Sequence, residues 1–201
     1  MLGCAGLVAA HPGALVVSVT AGRPGPHPLT EWDRRCGFSE GDDVVGRRRQ
    51  EDEIALEHLG ASALWLDFLD RQYADGKPPE RDDVAAAIRA AVDGGELVAS
   101  PLGLEHPDHL VTAQACFDVA RSLPSVRWII YEDAIYRSTP GAMEEVVSRL
   151  ADAGYSLRPL QVESADAKRA AVTCYASQVH GLGGLLDDAY QPERYWDLVI
   201  K

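Results

Sequence analysis

Hydrophobic positions along the chain fall into two alternating patterns. Short runs rich in β-branched and aromatic residues read as strands, at 15–20 (LVVSVT), 63–68 (ALWLDF), 96–99, 127–131 (RWIIY) and 157–162. Longer segments of helical periodicity separate them, at 2–10, 42–60, 82–92, 110–123, 141–153 and 164–180. The segment 42–60 has apolar positions at Val45, Ile54, Leu56 and Leu59, and Gly60 suits a C-cap. Gly- and Pro-rich residues 22–33 and polar residues 69–81 read as loops. Strands alternating with helices predict a parallel α/β sheet. The first helix, with Leu2, Ala5, Leu7 and Val8 as its packing positions, comes before the first strand. A doubly wound sheet ordinarily opens with a strand, so the pattern lacks its first element.

Composition narrows the function. A chain of 201 residues suits one domain, 1–201, with a sizeable core. Its formal net charge of −12 argues against non-specific nucleic-acid binding, which needs clustered Lys and Arg. The run Arg47–Arg49 is short and closely followed by Glu51, Asp52 and Glu53. Cys4, Cys36, Cys116 and Cys174 are widely spaced and form no CxxC pair, which predicts reduced thiols in a cytoplasmic protein. No apolar run is long enough to span a bilayer, and the first ten residues have no basic region of the kind that opens a signal peptide.

The candidate chemistry lies in PLGLEHPDHLVT, residues 101–112. Here His106 and His109 stand three apart at the carboxyl end of a predicted strand, where α/β folds place their sites. Such a pair supplies two of the three or four donors that zinc needs. Asp108 beside them can orient or charge-tune an imidazole. The alternative is that the histidines cap the following helix, with Asp108 as its N-cap. Elsewhere Asp70 closes a strand. Tyr131, Glu132, Asp133, Tyr136 and Arg137 follow the RWIIY strand as a polar, aromatic loop, and Tyr175 and Gln178 stand on the late helix. Each also has a structural reading, as a loop carboxylate, a solvated acidic loop or a packing tyrosine. Arg48 and Glu51, one helical turn apart, read as an ion pair.

In order and spacing these segments resemble the LmbE/PIG-L family of zinc-dependent de-N-acetylases. The resemblance rests on VVSVTAGRPG (16–25), Arg48 and Glu51 leading to Leu59 and Gly60, and WLDFLD (65–70). It continues through PLGLEHPDH (101–109), YEDAIYR (131–137) and the series Lys168, Ala171, Tyr175, Ser177, Gln178. It implies a three-layer α/β sandwich with a mostly parallel, Rossmann-like sheet, and removal of an N-acetyl group from an N-acetylglucosamine-type sugar conjugate. It makes His109 a zinc ligand, His106 the group that stabilises the transition state or acts as acid, and Asp108 their tuner. Asp70, Tyr131, Glu132, Arg137, Tyr175 and Gln178 become substrate contacts. In that chemistry zinc lowers the pKa of its bound water to about 7, and a carboxylate takes the proton.

The resemblance also implies an AHPDD turn after the first strand, which holds the other zinc ligands and the general base. Residues 9–15, AAHPGAL, do not supply it, because His11 is followed by Pro, Gly and Ala and precedes the strand of the next motif. The expectation is therefore a chain that starts late relative to the family, lacks its first strand and is inactive and poorly stable as it stands. The alternative is a non-catalytic, sugar-binding or regulatory relative that has lost its metal.

Overall fold

A computed structural model describes residues 3–162 and 165–201. In chain order the elements are α1 (Ala5–Ala9), β1 (Leu15–Ser18), α2 (Glu31–Arg35), α3 (Val44–His58), β2 (Ser62–Trp65), α4 (Arg81–Ala91), β3 (Leu97–Pro101) and α5 (Pro107–Ser122). There follow β4 (Arg127–Tyr131), α6 (Ala142–Asp152), β5 (Tyr155–Leu160), α7 (Ala165–Cys174), α8 (Ala176–Leu182), α9 (Leu186–Ala189) and β6 (Tyr195–Ile200). They form two compact units, one of residues 1–77 with 163–192 and one of residues 78–162 with 193–201. No helix of the described residues is long and apolar enough to cross a membrane.

In the first unit β1 and β2 pair in parallel, Leu15 opposite Ser62 through Ser18 opposite Trp65. The expected buried strand is instead half-exposed, and Leu15 is 50% exposed, because β1 pairs with β2 alone among the described strands. α3 starts on Asp43, whose carboxylate accepts from the Gly46 N–H at 2.9 Å, and ends at Leu59, before Gly60 at φ +66°. Leu56 and Leu59 are buried as expected, whereas Ile54 is 49% exposed and faces solvent. Leu59 meets Ala5 of α1 and Ala171 of α7, small residues that let the helices approach closely. Leu2 lies outside the described residues.

Two expectations change here. The loop 22–33 ends earlier, because Thr30 caps α2 by accepting from the Asp33 N–H at 3.0 Å. The single helix expected at 164–180 is two, α7 and α8, broken at Tyr175. Ser164 lies outside the described residues.

The second unit holds a four-stranded sheet in the order β3-β4-β6-β5. β3 and β4 are parallel, while β6 runs antiparallel to both β4 and β5. The mostly parallel sheet expected from the sequence is thus replaced by one parallel pair and one mixed sheet. β6 is the reason, since it inserts a strand of opposite sense between β4 and β5. β4 lies inside the sheet, which accounts for its continuous apolar run: Trp128, Ile129 and Ile130 are all at most 3% exposed. Leu102, Leu104, Phe117 and Ile130 form the centre of the core, with Val146, Leu150 and Tyr155 closing it from α6 and β5.

Gly22 fixes the loop after β1. Its N–H donates to the Phe68 carbonyl at 2.9 Å, and a Cβ there would stand 2.4 Å from the Asp67 carbonyl oxygen. Since backbone cannot yield as a flexible side chain does, Gly22→Ala is expected to cost about 1–3 kcal/mol, the usual range for overpacking. Urea unfolding of the variant against the parent measures it as a lowered midpoint at unchanged slope.

Candidate active site

In the second unit the HPDH segment turns from the end of β3 into α5. The helix begins earlier than its periodicity suggested, with Pro107 in the first turn, where a missing N–H costs nothing. His106, not Asp108, is the N-cap, and its Nδ1 accepts from the Asp108 N–H at 3.3 Å. Asp108 lies buried inside the first turn. The loop before the helix is drawn tight at Gly103, which has φ +82°, and a Cβ there would stand 2.6 Å from Ala113 Cβ. Only glycine meets both conditions.

His109 projects from this first turn, with its side chain 41% exposed. Its Nδ1 lies 2.7 Å from Oδ1 of Asp133, a side chain 1% exposed. The second oxygen of Asp133 accepts from the N–H groups of Gly103 at 2.8 Å and Leu104 at 3.1 Å. Asp133 stands two residues beyond β4, so one carboxylate joins the segment after that strand to the loop after β3 and to the imidazole. The rings of His106 and His109 are 5.3 Å apart, and Tyr136 stands edge-on to His109 at 5.3 Å. The intervening Ile135 has φ +68°, a strained conformation for a β-branched residue. Of the other residues expected here, Tyr131 closes the pairing with β3 and β6, opposite Pro101 and Tyr195. Glu132 is buried, accepts from the Trp196 indole N–H at 3.3 Å and lies 3.5 Å from Arg194. The Arg137 N–H donates to the Asp133 carbonyl.

The first unit gathers Asp70, Tyr175 and Gln178 around one cavity of about 240 Å³, whose walls include Trp32, Arg48, Arg49 and Trp65. Asp70 caps a short turn by accepting from the Gln72 N–H at 3.0 Å. Tyr175 donates to Asp52 at 2.6 Å, and Asp52 also accepts from the Trp65 indole at 2.9 Å. Arg48 and Glu51 turn to other partners than each other. Arg48 pairs with buried Asp33 at 2.9 Å, while Glu51 accepts from the N–H and hydroxyl of Ser177 and so caps α8. The cause is burial, since Asp33 and the start of α8 each leave polar groups that need a charge more than exposed helix neighbours do. His11 is an exposed residue whose ring bonds the Leu7 carbonyl at the end of α1, an ordinary local contact.

Sequence reasoning missed the roles of Asp133, Asp52 and Asp33. Asp133 stood within YEDAIYR but looked like one more acid of a solvated loop. Asp52 was hidden in RRRQEDE, where every residue reads as surface. The signal available was on the other side, in Trp65 and Tyr175, amphipathic residues that need acceptors once buried.

A zinc centre needs three or four N, O or S donors. Among the described residues no group of three His, Cys, Asp or Glu side chains could hold a metal ion. The Asp133 contact orients His109 through Nδ1. Among the described residues the donor set does not complete a centre.

The second unit is thus a mixed α/β unit that holds a histidine by a buried carboxylate near the ends of two strands. The particular family follows from comparison: residues 1–120 match the family described as PIG-L, GlcNAc-PI de-N-acetylase, and the chain belongs to it. A search of curated proteins finds no match. Among solved structures, the chain is similar to the A40926 pseudoaglycone deacetylase Dbv21, at 25% identity and TM-score 0.76 over 99% of this chain and 92% of that one. It is likewise similar to a triple mutant of the deacetylase of the teicoplanin biosynthetic pathway, at 27% identity and TM-score 0.78 over 100% and 93%. A zinc-inhibited form of the teicoplanin deacetylase Orf2 has the same fold, at 24% identity and TM-score 0.78 over 100% and 94%.

Two tyrosines of the first unit, Tyr73 and Tyr175, set a pH limit. Burial pushes the Tyr175 phenol far above its ordinary range, and the neighbouring Asp52 carboxylate adds to this. Burial also raises Tyr73, with Arg48 opposing and Asp33 adding to the rise. Both groups hold their protons in the folded chain at a pH where the unfolded chain, with a tyrosine pKa near ~10, has lost them. Their contribution is complete below that pH and falls as pH climbs above it, because the unfolded state then binds fewer protons. Urea midpoints measured in steps from neutral pH to beyond ~10 are expected to fall, and Tyr175→Phe is expected to flatten that fall.

Proposed function

We propose that this site serves a zinc-dependent hydrolase that removes an N-acetyl group from an N-acetylglucosamine-type sugar conjugate in the cytoplasm. The observation that carries the reading is the His109–Asp133 pair at the HPDH turn of a chain that belongs to a de-N-acetylase family. His109 serves as one metal ligand. His106 stands beside it as the group that steadies the developing oxyanion or protonates the departing amine. Its Nδ1 accepts from the helix, so a neutral ring keeps its proton on Nε2, as a donor requires. Asp108 tunes the pair from the first helical turn. The polar loop with Tyr131, Glu132 and Arg137 contributes to substrate binding in the second unit.

In the first unit, Asp70, Tyr175 and Gln178 contribute to substrate binding at a cavity lined by indole rings, arginines and hydroxyl- or carboxylate-bearing side chains. Aromatic faces with a few placed polar groups suit a sugar ring. The relatives named for A40926 and teicoplanin support an antimicrobial compound as the rest of the conjugate. The residues described here do not make a full zinc site. The chain on its own is therefore expected to bind a sugar conjugate without turning it over, and two further donors would be needed for catalysis. The same incomplete donor set favours, as a second reading, a sugar-binding relative without metal.

The test titrates the chain with an N-acetylglucosamine conjugate and follows binding by calorimetry, then assays acetate release with and without added zinc. Saturable binding lost in Gln178→Ala, with no acetate released, is expected. Failure to bind the conjugate at millimolar concentration overturns the sugar reading. Acetate release by the chain alone overturns the claim that its donors are insufficient.

A further inference from the structure

The hydrogen bonds around the two histidines differ in a way that settles where each ring carries its proton. A carboxylate oxygen can only accept. Asp133 already takes the Gly103 and Leu104 N–H groups on Oδ2, and it meets His109 through Oδ1 at 2.7 Å. The nitrogen facing it must therefore be the donor. A neutral His109 ring then has its proton on Nδ1 and its lone pair on Nε2. His106 is the reverse case, because its Nδ1 faces a backbone N–H and must accept.

We infer that Asp133 is a positioning residue that holds His109 in the Nδ1–H tautomer, so that Nε2 presents a lone pair. Three features make the hold firm. Asp133 is 1% exposed, so no water competes for its oxygens. It stands two residues past β4, an inner strand, and its carbonyl accepts from the Tyr136 and Arg137 N–H groups. Its second oxygen is pinned by two successive amides of a loop that Gly103 forces into one shape. The carboxylate cannot swing away from the ring without releasing that loop. A ring prepared in this way can bind a Lewis acid or take up a proton at Nε2 without first moving its own hydrogen. The bearing of this on amide hydrolysis rests on the function proposed above, whereas the tautomer itself does not.

The test is nitrogen-15 NMR of the metal-free chain at a pH where the ring is neutral, with the His109 signals assigned by their loss in His109→Ala. The parent is expected to show a protonated Nδ1 and an unprotonated Nε2 at His109, with the opposite pattern at His106. Asp133→Asn sharpens the test. Its single acceptor oxygen is claimed by the Gly103 and Leu104 amides, which turns its NH2 group toward the ring. The His109 proton is then expected to move to Nε2 while His106 keeps its pattern. A role confined to stability would lower the unfolding midpoint and leave the ring proton in place.

A parent ring protonated at Nε2, or a folded Asp133→Asn with an unchanged His109 tautomer, overturns the inference. If the variant does not fold, the parent spectrum decides alone. Absence of sugar binding or of deacetylation leaves this result standing, and an Nε2-protonated ring leaves the sugar-binding result standing, so the two failures separate.

Discussion

The second unit depends on one buried carboxylate. Asp133 lies where a charge is costly unless every lone pair finds a donor, and it finds three: two backbone amides and an imidazole. The arrangement solves two problems at once. The turn after β3 has N–H groups that no strand partner serves, and the histidine beyond it has a ring that would otherwise rotate. Placing the acceptor one residue beyond the Tyr131–Glu132 step of a central strand ties both to the most rigid part of the sheet. Charge-assisted hydrogen bonds of this kind are stronger than neutral ones, and here they also fix direction.

The first unit uses the same device on a helix. α3 looks like a surface helix from its charges, yet Arg48, Glu51 and Asp52 each reach across the unit. Arg48 satisfies buried Asp33, Glu51 caps α8, and Asp52 holds an indole and a phenol. The break between α7 and α8 follows from these contacts. Tyr175 leaves helical geometry where its hydroxyl meets Asp52, and two residues later Ser177 meets Glu51. Exposed ion pairs are worth little, whereas a partner for a buried charge is worth much more.

Much of the fold could be read from periodicity. The strand at 127–131 was placed to the residue, and the helices at 82–92 and 141–153 within one residue at each end. These are segments whose neighbours agree with their local preference. Errors gathered where tertiary contacts decide. β6 is rich in aromatic and β-branched residues, yet no strand is assigned to YWDLVI in the sequence reading, and its antiparallel sense is set by pairing alone. The half-exposed β1 reads as a core strand because its residues would suit one. In the site, the motif pointed to His106 and His109, and spacing alone placed them on one turn. What spacing could not show was their tautomers, because those depend on an acceptor 24 residues away from His109.

Ile135 shows what such order requires. A branched side chain at φ +68° holds its backbone in a region that costs on the order of 1–3 kcal/mol. That cost is offset by what surrounds it, since the Tyr136 and Arg137 N–H groups both donate to the Asp133 carbonyl and Tyr136 packs on the core. Tyr136, held in this way, leans on both imidazoles. Strain at one backbone position thus keeps an aromatic ring against two imidazoles.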